Sequence, residues 1–266
     1  MRVQFQEKVQ QADCDIIPVT KQGDDLTLPV SLTGQQRKKI ERVLNSNERF
    51  LEAAAGATMT VPAGALTKLN TVVLANTGAP AQSQYDYDNE KIGADIYQAL
   101  AENCATTAIL HGTNLGAREL AYICNGARLQ SYSCTQYKSQ PVGDSVTALY
   151  VRSAEKQDTE SAYAPLAATT DGVFWARDLV NMPGGHLYPQ SYMNDISNKL
   201  SGLLTVEQFD ENDLENIGAN GILTVGKGSV HRPGMVVMHY NGGHASEVPV
   251  ALVGKGVTFD TGGVNI

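Results

Sequence analysis

The sequence predicts an α/β fold with mostly parallel strands, divided into two domains. Short runs rich in β-branched residues alternate with longer segments of helical period along the chain. The 266 residues are 42% hydrophobic, which is enough for one large core or two modest ones. A polar, alanine-rich stretch at 153–168 interrupts the alternation and carries no strand pattern. We therefore place the domain boundary there.

The first domain, 1–155, is predicted to hold four strands with helices between them. The strands are short and are closed by Gly, Pro, Asn or a charged residue. They cover 15–20, 70–75, 105–111 and 146–152. Thr33 and the Gly-Gln-Gln that follows it open a helix that runs to about Asn45. Two further helices are expected at 88–103 and 115–130, where apolar residues recur at helical spacing.

The rest of the chain is predicted to be a linker with a leading helix, 156–181, followed by a second domain, 182–266. A helix at 170–181 is stopped by Pro183-Gly184-Gly185. The pattern then indicates helices at 189–201 and 211–217, and strands at 203–209, 222–225, 235–240 and 248–253.

Composition excludes several classes of function. The 20 Lys and Arg residues against 28 Asp and Glu residues give a net charge of −8, which disfavours binding to nucleic acid or to an anionic membrane. The N-terminus lacks a signal-peptide pattern, and no apolar run reaches the roughly 18 residues that span a bilayer. A cytoplasmic protein is expected. The four cysteines form no CxxC pair and are interpreted as buried free thiols.

Several motifs give only weak functional signals. The stretch 221–229 nearly fits a phosphate-binding loop, but Gly228 stands where a hydroxyl would bind magnesium, and a structural loop is favoured. His111, at the end of a strand, is the best of the five histidines for a site in the first domain, although a structural role is commoner for such a residue. The other histidines have no zinc-binding spacing. No serine lies in a GxSxG elbow.

The strongest candidate site lies near the end of the sequence. The apolar run 248–253 ends in Gly254-Lys255-Gly256, and Asp260 follows five residues after the lysine. Functional groups of α/β proteins gather where strands end, so Lys255 and Asp260 could converge on one point. A solvated ion pair is the alternative, but it would not require the surrounding glycines.

The segment 253–263, Val-Gly-Lys-Gly-Val-Thr-Phe-Asp-Thr-Gly-Gly, closely resembles the metal-binding signature of the leucyl aminopeptidase (cytosol aminopeptidase) family. Two earlier segments, 176–189 and 217–237, resemble other blocks of that family in the right order and spacing. The resemblance is strong from about 170 to 266 and weaker before it. It implies a macro-domain-like N-terminal α/β domain followed by an incomplete α/β metallopeptidase domain with a mixed, mostly parallel sheet.

By this resemblance, Lys255 would bind one metal ion and Asp260 would bridge two. The cofactors would be two divalent ions, zinc, manganese or magnesium. The activity would be removal of N-terminal, preferably leucine-like, residues from peptides, and the protein would assemble as a homo-oligomer, a hexamer in the family. Gly184-Gly185 replaces the family's small residue plus Asn, and Thr261 stands where Ser is common.

The family's catalytic lysine would follow Ile266, and its other acidic ligands and catalytic arginine would lie farther on. The resemblance therefore implies no catalytic residue within this chain, which alone is expected to be inactive. Two alternatives stay open at this point. The chain could be a non-catalytic truncated product that acts as a ligand-binding or oligomer-forming module, and nucleic-acid binding is a third, disfavoured reading.

Overall fold

The chain folds around two sheets, one in each of two units. The computed structural model describes residues 1–6, 12–22, 25–62, 71–78, 85–140, 146–244 and 246–259. The units are Met1–Arg177 and Asp178–Ile266. Within the described residues, no helix is both long and apolar enough to cross a membrane.

A seven-stranded sheet forms the centre of the first unit. Its strands are β1 (Arg2–Phe5), β2 (Cys14–Gln22), β3 (Asp25–Thr27), β4 (Thr58–Pro62), β5 (Thr71–Asn76), β6 (Thr107–His111) and β7 (Ala148–Arg152). Their order is β1-β7-β6-β2-β5-β4, with β3 paired to the end of β2. Every pair is parallel except β4 with β5 and β3 with β2. The predicted α/β class with mostly parallel strands is confirmed.

The helices predicted at 33–45, 88–103 and 115–130 are present, and a short helix at Glu48–Glu52 was not predicted. The helices of this unit are α1 (Gly34–Asn45), α2 (Glu48–Glu52), α3 (Tyr85–Glu102), α4 (Ala117–Gln130) and α5 (Lys156–Asn181), the last of which continues past the unit boundary. Thr33 caps α1 as its position predicts. Its hydroxyl accepts from the Gln36 amide at 3.3 Å, and the Gln36 side chain accepts from the Thr33 amide at 2.8 Å.

Both faces of the large sheet are buried, as expected when helices cover a parallel sheet on either side. Alternate residues of the central strands enter opposite cores. One core holds Ile16, Val73, Leu110 and Leu149 with Ile92, Ile96, Leu120 and Ile123. The other holds Ile17, Val19, Val72 and Leu74 with Ile40, Leu44 and Phe50.

Helices α3 and α4 approach each other so closely that two positions accept only glycine. A Cβ placed on Gly126 would lie 1.8 Å from the carbonyl oxygen of Glu90, and one on Gly93 would lie 1.9 Å from that of Ile123. Both clashes are with backbone atoms, which cannot rotate away. The pairing of the two helices therefore depends on these missing side chains.

Helix α5 is held by Arg128 of α4. The Arg128 guanidinium donates to the Ala167 carbonyl at 3.1 Å, forms an ion pair with Asp171, and lies 5.8 Å from the ring centroid of Phe174. The segment 156–168 was expected to be part of a linker. It is helical instead and forms the first half of α5, with Pro165 inside the helix. The functional division into 1–155, 156–181 and 182–266 stays a prediction.

Asp13 joins the starts of the adjacent strands β2 and β6. Its Oδ2 accepts from the Thr106 hydroxyl at 2.5 Å and from the Thr107 amide at 2.8 Å. The Thr106 hydroxyl and the further hydrogen bonds from these two threonines hold the pKa of Asp13 below its usual value of 3.8. The ionised carboxylate is therefore the form that stabilises the fold.

We expect Asp13→Asn to lower the free energy of unfolding at pH 7. A depressed folded-state pKa contributes stability above the unfolded-state pKa, and this contribution is lost as the pH falls through the folded-state value. The difference between the variant and the wild type should therefore shrink when urea unfolding is repeated below pH 3.8. A difference that stays constant with pH would contradict the role of the charge.

The second unit contains a smaller set of elements among its described residues. They are α6 (Pro189–Leu200), β8 (Thr205–Phe209), α7 (Glu211–Asn216), α8 (Asn220–Gly226) and β9 (Met235–His239). Strands β8 and β9 pair antiparallel. The helices predicted at 189–201 and 211–217 and the strands predicted at 203–209 and 235–240 are confirmed within one or two residues at most ends.

Two predicted strands of this unit are wrong. Residues 222–225 lie inside α8, because a short apolar run suits a helix as well as a strand and length alone did not separate the two. Residues 248–253 have no regular structure, and Val248, Val250, Leu252 and Val253 are each at least 88% exposed. No described strand pairs with this segment, so its backbone gains no ladder hydrogen bonds.

Candidate metal centre

Lys255, the first predicted metal ligand, lies in the irregular segment 246–259 with its side chain exposed. The Val257 amide donates to the Lys255 carbonyl at 3.1 Å, which closes a tight turn around Gly256. Within the part of the chain that the structure describes, no hydrogen bond or ion pair holds the Lys255 ammonium. The lysine is therefore presented to solvent at a turn.

The residues on either side of Lys255 differ in how much room they have. A Cβ on Gly256 would lie 3.2 Å from Cε1 of Tyr192 in α6, whereas one on Gly254 would meet no atom of the described residues within 4 Å. Farther on, the Phe259 ring packs on Gly184, with Cδ2 lying 3.1 Å from a Cβ built there. The Lys255 turn is thus anchored to the second unit through Gly256 and Phe259, and Gly254 leaves open space beside the lysine.

Asp260, the second predicted ligand, lies outside the described residues, as do Thr261, Gly262 and Gly263. The structure therefore does not test whether Asp260 meets Lys255. Among the residues that are described, no group of three or more His, Cys, Asp and Glu side chains could hold a metal ion. The roles of Lys255 and Asp260 stay predictions.

Two histidines of the second unit are engaged locally. His231 stacks on Tyr188 with the ring centroids 4.1 Å apart, and His239 lies 3.2 Å from Glu207 across the β8–β9 pair. Each ring therefore has a contact within the second unit. The Gly226-Lys227-Gly228 sequence begins at the last residue of α8, where Gly226 packs against Pro233. A phosphate-binding loop would instead precede a helix.

The cysteines are free thiols, as predicted, but not all are buried: Cys104 is exposed and Cys134 is half-buried. Cys14 and Cys124 are buried, and burial, followed by the nearby Asp15 carboxylate, raises the pKa of the Cys14 thiol to about 12. Burial also raises the pKa of Cys124. Both thiols stay protonated at neutral pH, so neither is a ready metal ligand or nucleophile.

Comparison with known proteins connects the predicted ligands to a family. Residues 174–266 match the model of the cytosol aminopeptidase family, catalytic domain. The probable cytosol aminopeptidase of Methylorubrum extorquens is 33% identical over 251 residues, which cover 92% of this chain and 50% of that protein. The one from Brucella ovis is 31% identical over 275 residues, covering 99% and 54%. The chain spans about half the length of these curated relatives.

Solved structures show the same fold. The bottromycin maturation enzyme BotP in complex with Mn superposes with a TM-score of 0.64 at 23% identity, over 87% of this chain and 46% of that one. A mutant tomato leucine aminopeptidase superposes with a TM-score of 0.64 at 16% identity, over 88% and 49%. The sequence match at 174–266, the curated relatives and the shared fold agree, and residues 174–266 of this chain match the catalytic domain of the cytosol aminopeptidase family.

Proposed function

We propose that the protein carrying this chain is a two-metal aminopeptidase that removes N-terminal residues, preferably apolar and leucine-like ones, from peptides. The observation that carries the proposal is the family match across 174–266, which includes both Lys255 and Asp260. The names of the curated relatives support the reaction class and a cytosolic location. The proposal includes assembly as a homo-oligomer, a hexamer by family resemblance, with peptides as the substrates.

The predicted donor set fits a divalent cation in chemistry but is too small for two. A carboxylate is a ligand for zinc, manganese and magnesium ions alike, whereas the nitrogen donor of a lysine suits zinc better than magnesium. Lys255 is exposed at a turn with open space beside Gly254, so its amine is free to reach an ion. Two donors cannot hold two ions tightly, so the proposal requires further ligands from the whole protein.

The chain's own residues would act on the metals and the substrate as follows. Lys255 would coordinate through its neutral amine, which requires that its ammonium lose a proton when the ion binds. Asp260 would bridge the two sites through its two carboxylate oxygens. A pair of divalent ions, when bound, polarises a scissile carbonyl and lowers the pKa of water.

The proposal is tested with the protein expressed from its full reading frame. Metal is removed with a chelator, and zinc, manganese or magnesium is restored separately before release of the first residue from a leucine-initiated peptide is measured. We expect turnover only after metal is restored, and none with the same peptide acetylated at its N-terminus. Absence of release with every metal would overturn the proposal in favour of the non-catalytic alternative.

A further inference from the structure

A buried histidine and aspartate meet in the first unit, far along the chain from the predicted metal ligands. His111 ends β6 and Asp15 lies in the neighbouring strand β2. The His111 Nε2 atom lies 2.8 Å from Asp15 Oδ1, and the two side chains are only 9% and 5% exposed. The sequence indicated His111 as a candidate but gave no sign of its partner, because the two residues lie 96 positions apart.

The other nitrogen of His111 faces a serine. Ser31 Oγ lies 3.4 Å from His111 Nδ1, and Thr113 Oγ1 lies 3.4 Å from Ser31 Oγ. The Thr113 hydroxyl also accepts the Ser31 amide at 3.3 Å, which fixes the serine backbone beside the ring. Ser31 itself is exposed, so an outside molecule can reach its hydroxyl. The distance from Ser31 to His111 is long, as is common for acid-base pairs in unliganded sites.

One neutral tautomer of His111 suits both of its contacts. In the tautomer that donates from Nε2 to the Asp15 carboxylate, Nδ1 carries the free lone pair. Nδ1 can then accept the Ser31 O–H, while Ser31 Oγ accepts from Thr113. This is the arrangement of a nucleophile, a base and a carboxylate that orients the base.

The N-terminus of helix α1 adds a positive electrostatic potential near Ser31. Ser31 lies two residues before the N-cap Thr33, and the first turn of α1 contains no acidic side chain that would offset the positive end of the helix dipole. Negative charge that develops on an oxygen beside Ser31 would therefore be stabilised rather than repelled.

We infer that Ser31, His111 and Asp15 form a second, metal-independent reactive site that accepts acyl groups from activated esters. Ser31 Oγ bonds to the acyl carbon while its proton passes to His111 Nδ1. The bond from that carbon to the leaving alkoxide then breaks, and the alkoxide takes the proton from His111. Water, deprotonated by the same nitrogen, later attacks the acyl carbon, and the departing Ser31 oxygen recovers the proton. The overall reaction is ester hydrolysis.

The test is covalent labelling of the full 266-residue chain with a fluorophosphonate, followed by mass spectrometry of its peptides. We expect one label per chain on Ser31, at a rate that a metal chelator does not change. Asp15→Asn should slow the labelling at least about 10-fold, because the histidine loses the carboxylate that holds its tautomer. Ser31→Ala should remove the label.

A folding measurement and two further variants keep this test decisive if Asp15→Asn is unstable. Circular dichroism at the labelling temperature shows whether Asp15→Asn is folded, and Thr113→Val offers a milder variant that should slow labelling while leaving the buried pair intact. Ser131→Ala removes a hydroxyl that donates only to the Arg128 carbonyl, and it should label normally. Labelling of Ser31 no faster than that of other exposed serines, or an unchanged rate in folded Asp15→Asn, would overturn the inference.

Discussion

Gly126→Ala is expected to lower the free energy of unfolding by about 3 kcal/mol or more, since the new methyl group overpacks a helix pair that cannot relax. The added carbon would lie 1.8 Å from the Glu90 carbonyl oxygen and 2.5 Å from its carbon, so helix α3 or α4 would have to move as a whole. Urea unfolding of the chain, followed by circular dichroism, measures this loss.

Gly172→Ala is the matched control, because Gly172 also lies inside a helix but a Cβ there would meet nothing within 4 Å. Without a clash, alanine's higher helix propensity should stabilise the chain by up to about 1 kcal/mol. The two substitutions are chemically identical and should have opposite signs. Equal effects would show that propensity, not the close approach of α3 and α4, governs Gly126.

If the proposed function is right, Lys255→Gln in the whole protein is expected to lower peptide turnover at least about 100-fold and to reduce the bound metal, because it removes a proposed direct ligand rather than a supporting group. Glutamine keeps much of the length and polarity of lysine, but its amide nitrogen has no lone pair available for a metal ion. Metal content by mass spectrometry and release of N-terminal leucine are measured together. Asp260→Ala should give the same result by removing the carboxylate that is proposed to bridge the two metal sites.

Lys227→Gln is the control for this prediction. Lys227 is also an exposed lysine between two glycines of the second unit, but it follows the end of α8 and has no predicted metal role. We expect this variant to keep its metal and its turnover. Equal losses in Lys227→Gln and Lys255→Gln would indicate a general effect of charge, and full activity of Lys255→Gln would refute the ligand assignment.

The central strands and long helices could be predicted because their signals are local. The runs that became β2, β5, β6 and β7 are β-branched and bounded by turn residues, and Thr33 carries a capping box. The three-residue strand β3 was missed, and so were strand β1 and edge strand β4, whose short sequences give little local signal. Their structure comes from pairing, of β1 with the distant strand β7 and of β4 with the next strand along the chain, β5.

The site was predictable only where a motif is continuous in sequence. Lys255 and Asp260 lie five residues apart, so their resemblance to a known signature could be detected without a fold. His111 lies 96 positions from Asp15 and 80 positions from Ser31. The first contact arises because β2 pairs with β6, and the second because the segment just before α1 lies close to the end of β6. No spacing rule along the chain would have found them.

The exposed valines and leucine of 248–253 have a thermodynamic consequence for the second unit. Complete burial of four such side chains is worth about 6 to 12 kcal/mol, which is comparable with the whole stability of a typical domain. The first unit already has two closed cores, whereas this contribution is missing from the second. The two units should therefore melt separately, and the heat absorbed in the main transition should report on Met1–Arg177.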